Sequence, residues 1–161
     1  MTVVLDPKQD GITHINVYSK AKTSLGLFLS NFTEIELETD EGDFKSVEAY
    51  WYYLSCPKDH PQVEELKNLS GYPAKKLGRE IRGKDYDADK DSSFQEKIKK
   101  VLRYKIENST LRKEFAKSTL PFTHYYVYEG KASEPTEGKW QIEFFEELRQ
   151  ELKSQLPLLE R

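Results

Sequence analysis

The sequence predicts an α+β fold, predominantly α-helical, with a small β-sheet or hairpins. Three observations predict it. Apolar residues recur at helical spacing in several segments, each bounded by Ser, Pro or Gly start and stop signals. Strand-like alternation is confined to short runs at residues 12–18, 35–38 and 124–131. Residues 139–159 carry the longest helical pattern, an amphipathic helix with Trp140, Phe144, Phe145, Leu148, Leu152 and Leu156 inward and Pro157 near its limit.

Taken in order, Ile12-Thr-His-Ile-Asn-Val-Tyr18 alternates as a strand covered on one side. Leu25 to Phe32 is apolar until Ser30 and Asn31 interrupt it, as in a buried segment that ends in a polar turn. Ile35 and Leu37 alternate with Glu36 and Glu38, and Asp40-Glu41-Gly42-Asp43 supplies turn chemistry, so a hairpin leads to Phe44. Ser46 then caps a helix in which Val47, Tyr50, Trp51 and Leu54 form one stripe. Pro57 stops that helix at Cys56. Pro61 opens a second helix bearing Val63, Leu66 and Leu69, with Gly71 as its cap, and Pro73 opens a third that ends at Gly83. Gly78 inside the third costs about 1 kcal/mol relative to Ala, which a close approach of another backbone would explain. After an irregular stretch at 84–91 comes a helix whose apolar face is Phe94, Ile98, Val101 and Leu102. A short helix near 108–115 follows, then a Tyr-rich strand at 124–131 closed by Glu129-Gly130.

Composition narrows the function. A chain of 161 residues is most simply one domain, 1–161. Hydrophobic residues are 37% and charged residues 33%, and ten Tyr, eight Phe and two Trp make it too aromatic for a disordered chain. A net charge of -3 argues against a generally basic nucleic-acid coat, leaving only local phosphate patches. The single cysteine, Cys56, leaves no internal disulfide and no Cys-based zinc site, so a reducing, cytoplasmic setting is expected. The first residues lack the pattern of a signal peptide, and no apolar run approaches the roughly 18–20 residues of a membrane span. No membrane partner is expected.

The chain has no phosphate-cradling GxxxxGK[ST] loop, no GxGxxG, no HExxH and no GxSxG. Its three histidines, His14, His60 and His124, show no metal-ligand spacing, so neither metal nor cofactor is expected. His14 and His124, both on predicted strands, suggest a hydrogen-bonded structural pair. What remains is carboxylate, arginine and tyrosine chemistry. Glu48 lies in the first turn of its helix beside Trp51 and Tyr52, where it either satisfies the helix dipole or serves as an acid or base. Lys75, Lys76, Arg79, Arg82 and Lys84 against Glu80 form the strongest local charge excess. Arg79 and Arg82, at i and i+3, either bracket one phosphate or form a solvated face. Lys105 continues an apolar stripe, so its ammonium either reaches water at the edge or points into a site.

The order of these motifs resembles the NADAR superfamily, the YbiA-like family. Its pattern is an SNF element, a [ST]xEHxxQ helix, an A…LGR…R element and a downstream KF(x)QN segment, and the likeness runs from about residue 16 to about 140. Ser30, Asn31 and Phe32 match the first element and Glu48 the acid of the second. Gly78, Arg79 and Arg82 match the third, and Lys105 and Asn108 the fourth. Ala49 and Tyr52 stand where the family has His and Gln, and Glu137 has the spacing to Trp140 of a family Asp. The resemblance implies a YbiA-like fold and an N-glycoside hydrolase. Such an enzyme cleaves (ADP-)ribose from a base or amine nitrogen, in modified guanine of DNA or RNA or in a phosphoribosyl nucleotide. It implies Glu48 as the catalytic carboxylate with Glu137 as a second, Asn31, Phe32, Arg79, Arg82 and Lys105 around the substrate, and Trp51, Tyr50 or Tyr86 stacking on the base. The alternative is an inactive scaffold that sequesters the nucleotide or binds a protein. The short Lys- and Tyr-rich chain fits a divergent lineage such as a phage, acting in the host cytoplasm.

Overall fold

The structure, a computed structural model, describes residues 5–83 and 92–161. Along the chain run β1 (Ile15–Asn16), α1 (Ser24–Leu29), β2 (Leu37–Thr39), β3 (Gly42–Phe44), α2 (Val47–Ser55), α3 (Gly71–Arg82) and α4 (Ser92–Glu107). Then come α5 (Arg112–Lys117), β4 (Phe122–Thr123), β5 (Tyr126–Tyr128), β6 (Lys131–Ser133) and α6 (Lys139–Ser154). The fold is α+β and mainly helical, with strands only in two-stranded pairs among the described residues. They pack as two compact units, Asn31–Asn108 and the remainder, Met1–Ser30 with Ser109–Arg161.

In the unit Asn31–Asn108, β2 and β3 form the expected hairpin, with Leu37 opposite Phe44 and Thr39 opposite Gly42. Ser46 caps α2 as expected, its hydroxyl accepting from the Ala49 amide at 3.1 Å. The α2 helix is buried more completely than a single stripe allows. Tyr52 and Tyr53 join Val47, Tyr50 and Trp51 inside, while Leu54 is half-exposed. This follows from enclosure on several sides, because α3, α4, β3 and the turn Val63–Asn68 all pack on α2. That turn is a 3-10 helix rather than the expected α-helix, with Val63 and Leu66 as its buried residues. Those two recur at i and i+3, the repeat that a 3-10 helix stacks on one side. Gly71 does not cap it but begins α3, which starts two residues before Pro73. Gly83 ends α3 with φ of +80°, as expected of a C-terminal glycine.

In the other unit, the expected strand at 12–18 shrinks to β1, which runs parallel to β4. The expected strand at 124–131 is instead β5, a turn and the start of β6, a hairpin whose turn residues Glu129 and Gly130 both have positive φ. His14 and His124 each bond a different partner rather than pairing as expected: His14 Nε2 meets the Tyr125 hydroxyl at 2.6 Å, and His124 Nδ1 the Val17 carbonyl at 2.6 Å. The core joins Phe115 and Phe122, stacked at 5.5 Å, to Phe145. The C-terminal helix stops at Ser154, short of residue 159, and Leu156 is half-exposed beyond it. Pro157 precedes a 3-10 turn, Leu158–Glu160. Among the described residues, no helix is long and apolar enough to cross a membrane.

Candidate active site

The N-termini of α2 and α3 are tied to one short segment. The Asn31 carbonyl accepts from the Glu48 amide at 2.9 Å, and the Phe32 carbonyl accepts from the Gly71 amide at 3.1 Å. The Ser46 hydroxyl adds a third tie by donating to the Leu69 carbonyl at 3.1 Å. Amides left open by the helical ladder are thereby satisfied, and Asn31 and Phe32 are fixed beside Glu48.

Glu48 and Tyr52, one turn apart on α2, lie on the side that meets α3. The α3 residues Lys75, Arg79 and Arg82 follow at i, i+4 and i+7, so they share a stripe. The helices approach closely at Gly78, where a Cβ would stand 2.1 Å from Cγ of Tyr52. The close approach inferred from this mid-helix glycine is therefore made by an aromatic ring rather than by another backbone. Cys56 adds a contact, its thiol donating to the Gly78 carbonyl at 3.5 Å.

Charges converge on the Tyr52 phenol. The Arg82 guanidinium carbon lies 4.8 Å from the centre of its ring, a cation–π contact. Burial and then the Glu48 charge raise the phenol's pKa, and Arg82 and Arg79 oppose them. Lys75 Nζ lies 5.8 Å from the centre of the Phe32 ring. Burial first and Arg79 next lower the Lys75 pKa, against an attraction from Glu48. Glu48 is half-exposed, and its charge acts on both Tyr52 and Lys75. Arg82 Nε is buried and has no hydrogen-bond partner among the described residues.

The fold therefore brings together Asn31, Phe32, Glu48, Arg79 and Arg82 from the residues singled out in the sequence. Trp51 is 8% exposed and packs edge-on against Phe94 of α4 at 4.9 Å, which leaves little ring surface for a base. Tyr50 is 2% exposed and donates to Glu41 Oε2 at 2.5 Å, tying α2 to the hairpin. Lys105 is 1% exposed, which removes the alternative of an ammonium in water, and burial pushes its pKa down to about 7. A partly neutral amine suits proton transfer better than phosphate binding. Glu137 belongs to the other unit, exposed just before α6. Tyr86 lies outside the described residues. Cys56 is buried with its thiol pushed up to about 11, which makes it an inert packing residue.

The sequence marks Tyr52 as a neighbour of Glu48 and as a departure from the family pattern, but Lys75 only as part of a basic run. The i, i+4, i+7 spacing of Lys75 to Arg79 and Arg82 is the signal that could have found it.

No family model matches the chain, and no curated protein matches it. Among solved structures, the chain is similar to the NMR structure of the E. coli protein YbiA. The two share a TM-score of 0.62 and 22% identity, over 94% of this chain and 95% of that one. The chain therefore has a YbiA-like α+β fold.

Proposed function

We propose that this chain is a NADAR-superfamily N-glycoside hydrolase that cleaves the bond between a base or amine nitrogen and (ADP-)ribose. The observation that carries the proposal is the convergence of Glu48 with Lys75, Arg79 and Arg82 around Tyr52. Hydrolysis of such a bond passes through an oxocarbenium-like state at the anomeric carbon. As the carbon–nitrogen bond breaks, water forms the new carbon–oxygen bond, and its proton ends on the departing nitrogen. Glu48, at a helix N-terminus with cations near it, is held in an environment that favours its charged form. It stabilises the developing cation and takes the proton from water. Lys75, Arg79 and Arg82 hold the phosphate groups.

The test is incubation with ADP-ribosylated guanine, as a nucleoside and within single-stranded DNA and RNA, with release of ADP-ribose read by mass. Glu48→Gln is expected to fold and release none; full activity in that variant removes Glu48 from the mechanism. A specific observation favours a second function, nucleotide sequestration: Ala49 is 0% and Tyr52 5% exposed, so neither supplies an accessible acid–base group. Binding of ADP-ribose without any release across these substrates would select it.

A further inference from the structure

We propose that the β5–β6 hairpin is a stacking platform for single-stranded nucleic acid, with a base on the ring of Tyr128 and its adjoining phosphate on Lys131. All the residues concerned belong to one unit, Met1–Ser30 with Ser109–Arg161. Antiparallel pairing sets Tyr126 opposite Ser133, Val127 opposite Ala132 and Tyr128 opposite Lys131. Directly opposed residues share a face and successive ones alternate, so Tyr126, Tyr128, Lys131 and Ser133 lie on one side. Glu129 sits in the turn and Glu134 past the end of β6, outside that set. Lys20, exposed two residues after Tyr18, adds a second cation to the row.

A single exposed aromatic residue is ordinary. Tyr128, 65% exposed, differs in how it is held. Its ring centre lies 6.4 Å from that of Tyr126, which in turn lies 5.9 Å from Tyr18 and 5.4 Å from His124. His124 Nδ1 donates to the Val17 carbonyl at 2.6 Å, and the Tyr18 hydroxyl accepts from the Val127 amide at 3.4 Å. A row of rings thus runs from segments on the body of the unit to the hairpin tip. Its members meet at 53°, 68° and 70° rather than in parallel stacks, so the Tyr126 contact does not cover Tyr128 face to face. A ring fixed in advance, with its surface in water and a cation on the same face, offers what an unpaired base and its phosphate require at low ordering cost. Duplex bases are already stacked on one another and fit it poorly.

The test is fluorescence anisotropy with labelled oligothymidylate and oligouridylate of about 15 nucleotides, and with a duplex of equal length, across a range of salt. The parent should bind the single strands more tightly than the duplex. Tyr128→Ala, at an exposed position, should weaken binding about five- to a hundredfold, whereas Tyr128→Phe should keep it, because stacking uses the ring and not the hydroxyl. Lys131→Ala should reduce the slope of log affinity against log salt by roughly 0.7. Binding of either strand in this pattern supports the platform. It is overturned if the parent binds neither strand at low salt, if it binds the duplex equally well, if it takes a proline-rich peptide in place of the strands, or if Tyr128→Ala binds like the parent. Binding is read without turnover, so failure here and failure of the hydrolase reading are told apart.

Discussion

Two arginines in this protein sit over aromatic rings and do opposite things. Arg149, in α6, lies 4.2 Å from the centre of Phe122. Its donors are taken by the Leu120 carbonyl at 2.6 Å, Ser118 Oγ at 3.1 Å and Glu146 Oε2 at 2.5 Å. Glu146 in turn accepts the Phe122 amide at 2.8 Å, so the network closes on itself. Arg82 lies over Tyr52 at 4.8 Å, yet its buried Nε has no partner among the described residues. An arginine whose donors are satisfied within the protein is cement. Under the function proposed above, Arg82 is instead one of the cations that hold the substrate's phosphates. The cation–π contact is common to both and distinguishes neither.

The largest expected effect tests the packing that supports Arg82. Gly78→Ala forces a methyl group to within 2.1 Å of the Tyr52 ring, and thermal unfolding should show a loss of about 3 kcal/mol or more. Survival of the variant near parental stability would mean that α2 and α3 separate easily, and the site geometry would lose its foundation.

A buried cation of a third kind sharpens the comparison. Lys105 is 1% exposed, and burial lowers its pKa from 10.5 to about 7. The folded chain holds this proton less tightly than the unfolded chain does. Stability should therefore rise with pH between about 7 and about 10.5 and lose this dependence below about 7, where both states are protonated. Lys105→Met should abolish the rise, measured by denaturant titration across that range.

Next come the arginines themselves. Arg149→Met should cost about 2–3 kcal/mol of stability, because it strips a largely buried network of its donor, and should leave ADP-ribose affinity unchanged. Arg82→Met should do the reverse, with stability within about 1 kcal/mol of the parent and affinity lowered about tenfold. Equal stability losses in the two variants would erase the distinction. The smallest effect is expected at the exposed Lys113–Glu160 pair. Lys113→Ala should change stability by less than about 0.5 kcal/mol.

Much of the site was legible before any coordinates. Ser46 announced the start of α2, which fixes Glu48 in its first turn, and Gly83 announced the end of α3, which sets the Arg79–Arg82 face. Both signals are local, because capping and left-handed φ depend on residues within a turn of one another. The role of Tyr52 was not legible, since it depends on which helix packs against it. Nor was the burial of Lys105, because an apolar stripe tells where a helix faces the core but not how deep its last member lies. The strand at 12–18 was overextended for a similar reason: alternation marks the capacity to pair, and among the described residues Phe122 and Thr123 pair with Ile15 and Asn16 while His14 makes a single bridge to Asp10.

The sequence by itself determined the fold class, the order of the elements, the caps, and the presence of one carboxylate and a basic stripe on neighbouring helices. These follow from periodicity and short-range sterics, which act within a few residues. The tertiary structure alone decided that Gly78 admits the Tyr52 ring, that Arg82 lies over that ring, and that the donors of Arg149 are taken within the protein. Those outcomes depend on contacts between segments distant in the chain, where burial and the supply of hydrogen-bond partners set the energies.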